Sequence, residues 1–560
     1  MLRRHSLGIH IGHDRGAALV SHGELVAQTA EERLDRKKHS NSPELPLKSI
    51  EAVLRLGNVS AGNLGVVGIS YTNVVVERIL PLLAEEIRDT LGVPSLEVIG
   101  VGHHDCHAWS SYFTSDCSRA LILVADGSGD IIGSRLEAES LYSAAGDSIS
   151  LLDRRLQDPG SSRMTRRNSY LLPYMNDTDR HKDISLGNKY EQYTYLAGFE
   201  QREGGKTMGL AAYAKPLVEP EVPTICDLQF PLEFETGIKE IDQTWRRSGQ
   251  PWHRFSKLYA AEIAATGQQF IEKYMIALLN AINPHGTHET LCGAGGVFLN
   301  CQMNSRILND TKFGKLHVVP AAGDDGQSIG AAYFAYASRF HAPSRSSNCL
   351  PYLGPSYCSS DVREQLTRFG LRDEELETQN LLERMAKALA EGKTLGLLRG
   401  RSEVGPRALC HRSILADPRR PDMKDRLNQL KGREMFRPFA PVVTVEDQKK
   451  FFELEAPSPY MLIATQLQTQ FREFLPAIMH IDGSSRVQSI SHQKEPFVHS
   501  LLRSFEALTG YPILINTSFN VSGDPIVETP GDAIATYLKS GIDCLVIENF
   551  WLSKSTGQCA

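Results

Sequence analysis

The most constraining stretch of the chain is Ala120-Leu-Ile-Leu-Val-Ala-Asp-Gly-Ser-Gly129, six consecutive apolar residues cut off by an aspartate and two glycines. An apolar run this short, with turn residues behind it, reads as a strand buried on both faces. Such a strand needs cover on each side, as in α/β sheets. Asp126 then lies at the strand's carboxyl end, where open α/β sheets place their ligands. The pattern recurs. Leu7-Gly-Ile-His-Ile-Gly-His-Asp-Arg-Gly-Ala-Ala-Leu-Val20 reads as strand, turn, strand with His13 and Asp14 at the turn, and Thr290-Leu-Cys-Gly-Ala-Gly-Gly-Val297 reads as a strand and glycine loop. Ile263, Phe270, Ile271, Tyr274, Leu278 and Ile282 recur near the 3.6 period and predict a helix over 262–282. Strands alternating with helices predict a layered α/β fold with its site at the strand ends.

A chain of 560 residues has room for two to four domains. Between Arg339 and Asp361 the sequence turns to Pro343, Pro351, Gly354, Pro355 and six serines, which predicts a connector dividing 1–345 from 346–560. Residues 146–183, rich in Arg, Asp, Ser and Asn, predict a long insertion or mobile loop. No internal repeat is visible. The net charge of −6 gives no electrostatic drive toward nucleic acid or anionic membrane. None of the ten cysteines forms a Cys-x-x-Cys pair, so they read as reduced thiols. The basic start Met1-Leu2-Arg3-Arg4 is followed by His10, His13 and Asp14 before an apolar core builds up, and no run approaches about 18 apolar residues. A cytoplasmic protein is expected.

Three constellations carry chemistry. In His103-His104-Asp105-Cys106-His107, positions 103 and 107 lie one helical turn apart, so both imidazoles can reach one metal. Carboxylates from glycine-rich loops, with Asp126 and Asp324 as candidates, would complete an N/O site suited to iron(II), zinc or manganese. Arg399 to Arg437 holds eleven basic residues against five acidic, a local charge of +6. Rigid turns at Gly405-Pro406 and Pro438-Phe439-Ala440-Pro441 aim guanidinium groups, whose charge-assisted bonds to phosphate contribute about 1.5–3 kcal/mol each. Arg419, Arg420 and Arg426 lack such context and read as a solvated face. RNA is the rival ligand, yet Phe436 and Phe439 are the only aromatics there and make no stacking platform. The third set comprises glycine loops at Gly204-Gly205-Lys206-Thr207-Met208-Gly209 and Gly295-Gly296-Val297-Phe298-Leu299-Asn300, whose amides can approach phosphates, though neither is a P-loop.

Together these motifs resemble the NodU/CmcH family of O-carbamoyltransferases. The matching stretches run nearly end to end: Gly12-His13-Asp14; Glu31-Glu32-Arg33 through Lys37-Lys38-His39; His103, His104 and His107; Asp126-Gly127; Gly205-Lys206-x-Met208-Gly209-Leu210-Ala211; Gly295-Gly296-Val297 with Asn300 and Asn304; Asp324; Glu403-Val404-Gly405-Pro406-Arg407-Ala408-Leu409; Arg437-Pro438-Phe439-Ala440-Pro441; and Asn516-Thr517-Ser518-Phe519-Asn520. The resemblance implies an actin-like (ASKHA, TsaD-like) N-terminal domain and a YrdC-like C-terminal domain. It further implies that carbamoyl phosphate and ATP give carbamoyl-adenylate in the second domain, and that the first moves the carbamoyl group onto a hydroxyl of a natural-product or sugar acceptor.

By the same resemblance, carbamoyl phosphate is held by Arg407, Lys431, Arg437, Arg486, Asn516 and Ser518, and the nucleotide by Lys206, Met208, Gly209, Gly295, Gly296, Asn300 and Asp324, with Mg2+ accompanying ATP. A divalent metal, Fe(II) in the family, falls to His103, His107, Asp126 and Asp324. His13 is expected as general base and Lys38 as charge stabiliser. Two departures bear on the acceptor: Arg15 follows Asp14 where the family has a small residue, and residues 146–183 match no family stretch. The partners expected are small molecules, with no nucleic acid and no membrane. The alternative is a threonylcarbamoyl-adenosine-type tRNA-modifying enzyme, and a sugar-kinase-like ATPase is the third class.

Overall fold

Two of the glycine-punctuated apolar runs, His5–Ile11 and Arg119–Ala125, become the central strands of two sheets with a single topology. The computed structural model of the chain describes residues 4–72, 76–157, 184–221, 237–341, 343–344, 350–372 and 374–554. The chain divides into two compact units, Met1–Gln28 with Asn41–Asn348, and Thr29–Ser40 with Cys349–Ala560. Residues 158–183 of the expected insertion, and 342 and 345–349 of the expected connector, lie outside the described residues.

In the first unit, β1 (His5–Ile11), β2 (Gly16–Ser21), β3 (Glu24–Ala30), β4 (Val66–Tyr71) and β5 (Glu97–Gly100) form a sheet in the order β3-β2-β1-β4-β5. Strand β1 runs antiparallel to β2 and parallel to β4, which is parallel to β5. The second sheet contains β6 (Arg119–Ala125), β7 (Ile131–Ile132), β8 (Arg135–Ala145), β9 (Ser148–Gln157), β10 (Thr290–Ala294) and β11 (Lys315–Val318). Its path is β11-β10-β6-β8-β7 with β9 also paired to β8, so through β9 the strands run β9-β8-β6-β10-β11, with β6 antiparallel to β8 and parallel to β10. This is the first sheet's order over again, so the unit is an internal duplication of the actin-like kind. The repeat was invisible in sequence because it is one of connectivity: β8 and β9 run 11 and 10 residues where β2 and β3 run 6 and 7. The insertion expected over 146–183 is likewise corrected over 148–157, which form β9 paired along β8.

Helix Gln327–Phe340 joins the sheets, packing on β1 and β4 and against helix His103–Phe113. The approach is backbone to backbone: a Cβ on Gly8 would stand 2.0 Å from the Ser328 carbonyl oxygen, and one on Gly330 would stand 1.8 Å from that of Cys106. Only glycine leaves room for contacts this close. The result fixes the start of helix Gln327–Phe340 beside the start of helix His103–Phe113 and the end of β1.

The second unit is built on one mixed sheet. Its strands are β12 (Leu395–Leu398), β13 (Arg412–Ala416), β14 (Ala440–Thr444), β17 (Gln488–Ile490), β18 (Ile513–Ser518), β19 (Cys544–Ile547) and β20 (Phe550–Ser553), with β15 (Ala464–Gln466) and β16 (Ser484–Arg486) as a separate pair. The order is β17-β14-β18-β13-β12-β19-β20. Alternate residues face opposite cores: Ile513 and Ile515 join Val362, Leu366 and Ile534 on one side, while Leu514 joins Met385, Leu389 and Leu501 on the other. Both faces are thus covered by helices, the α/β layering expected of a YrdC-like unit. No helix among the described residues is long and apolar enough to cross a membrane.

At an open helix position, glycine to alanine stabilises by up to about 1 kcal/mol. Gly330→Ala should instead destabilise by about 1–3 kcal/mol, because its methyl meets the Cys106 carbonyl. The midpoint of urea unfolding measures this, and an unchanged midpoint would refute the close approach.

Candidate functional site

In the first unit, three chain segments converge on one carboxylate. Asp324 heads the turn before helix Gln327–Phe340 and is 3% exposed in its side chain. Its Oδ1 lies 3.3 Å from His103 Nε2 and 3.4 Å from His107 Nε2. Its Oδ2 lies 3.0 Å from His13 Nε2 and accepts from Thr72 Oγ1 at 3.2 Å. Asp126, at the end of β6, turns Oδ2 to the same imidazoles, 3.4 Å from His103 and 3.6 Å from His107. Its Oδ1 accepts from the Gly296 amide at 2.8 Å. One atom from each of His103, His107, Asp126 and Asp324 falls within 4.8 Å of the other three.

These are the donors a first-row divalent cation takes, two imidazole nitrogens and two carboxylate oxygens. Nε2 of His107, the ring nitrogen turned to both aspartates, is buried and makes no hydrogen bond. A buried polar atom left unpaired costs about 1–3 kcal/mol, so this ring suits a partner that the protein itself does not supply. Burial disfavours charge on His103 and His107, but the two aspartates outweigh it and raise both pKa values, His103 well above its ordinary range. Burial, opposed and outweighed by the histidines, leaves Asp126 and Asp324 below the usual carboxylate range. His13 follows the same logic. Burial lowers it, Asp324 and Asp14 more than compensate, and its pKa is raised to about 10. Neighbouring His10, buried and facing a weaker net attraction, falls to about 3.

The structure corrects the reading of Gly204–Gly209 as a loop, since these residues open helix Gly204–Ala211. Lys206 pairs with Glu203 at 2.5 Å, Met208 Sδ lies 3.8 Å from Cys301 Sγ, and Gly209 is buried within the helix. Gly295, at φ +92°, starts the short turn in which Gly296 meets Asp126. Asn300 caps helix Cys301–Asp310, accepting from Met303 N at 3.1 Å, and exchanges two bonds with Gln268. Arg15 is turned away from the site, donating to the Glu44 carbonyl at 3.2 Å. Sequence reasoning missed Thr72 and the Gly296 amide as supports of the aspartates. Neither carries a sequence signal apart from the glycine itself.

In the second unit, Lys431, Arg433, Arg437 and Arg486 stand close enough to repel one another. Burial, with Arg433 and Arg437 nearby, pushes the Lys431 ammonium well below its ordinary value, and burial with Arg437 and Arg486 brings Arg433 down to about 9. Among the described residues, Glu434 is the acid that meets this group, 3.7 Å from Arg437. Arg433 stacks over Phe439 at 4.4 Å and donates to Asn428 Oδ1 at 2.9 Å. It sits in the basic stretch seen in sequence, yet no matched motif singles it out. Lys431 donates to both oxygens of Ser518 and both of Asn520, and Asn516 Nδ2 to Gln488, Ala408 and Cys410. Those two residues hold strands and loops in place. Arg407 lies on the Gly405-Pro406 turn, and Lys38 is exposed on the Thr29–Ser40 segment. Arg419, Arg420 and Arg426 are paired with Asp417, Asp422 and Asp543 rather than merely solvated.

Family profiles match this chain in two stretches, the carbamoyltransferase N-terminus over residues 61–333 and the carbamoyltransferase C-terminus over residues 386–554. An uncharacterized protein of Synechocystis sp. is 32% identical, with the alignment covering 98% of this chain and 97% of that protein. The chain belongs to the carbamoyltransferase family. Nodulation protein NolNO of Sinorhizobium fredii is 31% identical over 97% of this chain and 79% of its own. The 3'-hydroxymethylcephem-O-carbamoyltransferase of Amycolatopsis lactamdurans is 34% identical over 47% of this chain and 49% of its own. The NodU/CmcH resemblance seen in the motifs thus holds, and this protein is an enzyme, a carbamoyltransferase.

The carbamoyltransferase's Glu403–Leu409 motif is organised by its first residue. Buried Glu403 Oε1 accepts from the amides of Leu409, His411 and Arg412 at 2.8, 2.8 and 2.9 Å, folding the Gly405-Pro406-Arg407 turn. Arg33, from the Thr29–Ser40 segment, donates to the Gly405 carbonyl at 3.1 Å. Burial would raise Glu403, but Arg33, His411 and Arg412 outweigh it and its pKa is lowered. A carboxyl with a depressed folded-state pKa stabilises above its unfolded pKa, roughly 4.3, and that contribution is lost as pH falls through the folded value. Glu403→Gln should therefore cost about 1.5–3 kcal/mol at pH 7, the range for bonds to a charged acceptor. The gap to the parent enzyme should narrow below roughly pH 4 in denaturant titrations. A pH-independent gap would show that the charge contributes nothing.

Proposed function

We propose that the enzyme is an ATP-dependent O-carbamoyltransferase that converts carbamoyl phosphate and ATP to carbamoyl-adenylate and transfers the carbamoyl group to a hydroxyl of a natural-product or sugar acceptor in the cytoplasm. The observation that carries this reading is the buried quartet of His103, His107, Asp126 and Asp324 in a member of the carbamoyltransferase family. Support for a hydroxyl acceptor comes from the hydroxymethylcephem O-carbamoyltransferase among its relatives. In this reading, residues 346–560 activate, residues 1–345 transfer, and no nucleic acid or membrane takes part.

The chemistry asks for activation because a carbamoyl carbon is deactivated by resonance, and an alcohol attacks it at a useful rate once AMP is the leaving group. Balance requires that carbamoyl phosphate, ATP and water give carbamoyl-adenylate, pyrophosphate and phosphate. The acceptor oxygen then forms the new C–O bond as the bond to AMP breaks. In the second unit, Arg407, Lys431, Arg437, Arg486, Asn516 and Ser518 bind carbamoyl phosphate, with Lys431 and Asn516 also tying together the strands and loops that present the others. An anion there relieves the mutual repulsion of the cations and meets preorganised donors. Lys206, Met208, Gly209, Gly295, Gly296, Asn300 and Asp324 form the nucleotide side of the transfer site.

His103, His107, Asp126 and Asp324 would hold a divalent cation, Fe(II) in our reading, with Mg2+ accompanying ATP. Such an ion supplies Lewis acidity and a template beside the adenylate phosphate. His13 takes the acceptor's proton, and Lys38 stabilises developing charge. Against the pull of burial, Asp324 and Asp14 raise the His13 pKa to about 10, so the proton it takes is held firmly.

The test is phosphorus NMR with mass spectrometry on the enzyme given ATP, carbamoyl phosphate and magnesium without acceptor. Carbamoyl-adenylate, or AMP with pyrophosphate, dependent on carbamoyl phosphate is expected. ADP as the sole nucleotide product, or AMP only with threonine and bicarbonate, would overturn the reading. Arg437→Ala should abolish adenylate formation with metal content unchanged, and a normal adenylate yield removes that arginine from the pocket. His107→Ala should lose bound metal and acceptor carbamoylation while still forming adenylate. Full metal occupancy in that variant, read by elemental analysis, would show the ligand set to be wrong.

A further inference from the structure

We infer that Gln157, Ser185 and Asn188 are positioning residues that set the metal affinity of the site by clamping the backbone next to Asp126, an inference that rests on the metal reading above. The carbonyl oxygen of Gly127 accepts three side-chain hydrogen bonds, from Ser185 Oγ at 2.6 Å, Asn188 Nδ2 at 2.7 Å and Gln157 Nε2 at 2.8 Å. A carbonyl oxygen has two lone pairs, so three donors saturate it. The donors are also locked to each other. Gln157 Oε1 accepts from the Ser185 amide at 3.0 Å and from Asn188 Nδ2 at 3.2 Å, and Ser185 Oγ caps helix Leu186–Leu196 by accepting from Asn188 N at 3.1 Å. Gln157 and Ser185 are fully buried.

The placement matters because Asp126 is followed by Gly127-Ser128-Gly129, a stretch whose backbone has more freedom than almost any other sequence would allow. Left alone, that freedom would blur the position of a ligand that must sit within about 0.5 Å of its productive place. The clamp removes it from one side. The helix presses from the same direction: a Cβ on Gly187 would stand 2.6 Å from the Asp126 carbonyl oxygen. On the other side, a Cβ on Gly295 would stand 2.2 Å from the Ala125 carbonyl oxygen, and Gly296 binds the Asp126 side chain. A general scaffold tie would need no such concentration on one carbonyl. Outer partners that orient a metal ligand typically change metal affinity about 10–100-fold, and this clamp acts on the residue that follows Asp126.

The experiment titrates cobalt(II) into the full-length enzyme, following visible absorption for affinity and circular dichroism for folding. Ser185→Ala and Asn188→Ala should each weaken cobalt binding by about 10-fold or more, and Ser185→Thr, which keeps the hydroxyl, should restore it to within about 2-fold. Asn188 is half-buried on a helix, where alanine is well tolerated, so this variant keeps the test alive if Ser185→Ala fails to fold. Asp126→Asn is the reference. Parental affinity in the clamp variants, with binding lost in Asp126→Asn, would refute the clamp and leave the metal reading standing. Parental affinity in Asp126→Asn and His107→Ala alike would refute the metal reading itself.

Discussion

The first unit depends on the carboxylate of Asp324. It touches His13 from the turn after β1, Thr72 from the end of β4, and His103 and His107 from one face of a helix. A buried carboxylate is stable only when its charge is met, and here imidazoles from two different segments meet it. The glycine-to-backbone contacts that seat helix Gln327–Phe340 on β1 and against helix His103–Phe113 deliver Asp324 to that point. Packing and chemistry share one cause. Shifting the helix by the width of a methyl group would separate the acid from all its partners at once.

The second unit poses the opposite problem, an excess of cations. Buried like charges destabilise the fold, and Lys431 and Arg433 show the cost in their depressed pKa values. The structure offsets that cost with fixed acceptors rather than acids: Ser518 and Asn520 take up the Lys431 ammonium, and Asn428 and the Phe439 ring hold Arg433. Glu403, by contrast, spends a whole carboxylate on three backbone amides to shape the turn that carries Arg407. The mutually repelling cations are thereby gathered in one cluster, a pattern that favours a multiply charged anion over a diffuse polyanion.

Much of this was legible in sequence. The strand ending in Asp126 announced itself by six apolar residues and a glycine turn, and the one-turn spacing of His103 and His107 survived intact into the helix. Short-range patterns of this sort are decided locally, by periodicity and by turn residues. What stayed hidden was decided by distant partners. Gly204–Gly209 reads as a loop by composition, but its residues pack against helix Ala260–Ile282 and become helical. Arg15 looks like a charge at the site until the carbonyls of the Glu44-Leu45 segment, thirty residues on, claim it. The duplication of the two sheets left no trace because strand order can repeat while lengths and residues diverge.

The least readable feature is the migration of Thr29–Ser40 into the second unit. By position it belongs to the N-terminal domain, and its Glu31-Glu32-Arg33 motif is too short to announce a destination. Yet Arg33 bonds the Gly405 carbonyl, and Arg36 bonds the carbonyls of Pro525 and Ile526 and lies 3.5 Å from Asp532. Both arginines reach backbone oxygens of loops in the second unit, where guanidinium forks bind rigidly through several donors. The second folding unit therefore does not begin at the proline- and serine-rich connector. A fragment starting there would leave the Gly405 and Pro525–Ile526 carbonyls without these donors, and Glu403 and Glu528, both buried, without the Arg33 charge between them. Buried carboxylates that lose a counter-charge become costly, so the motif at the chain's beginning is a structural part of the unit at its end.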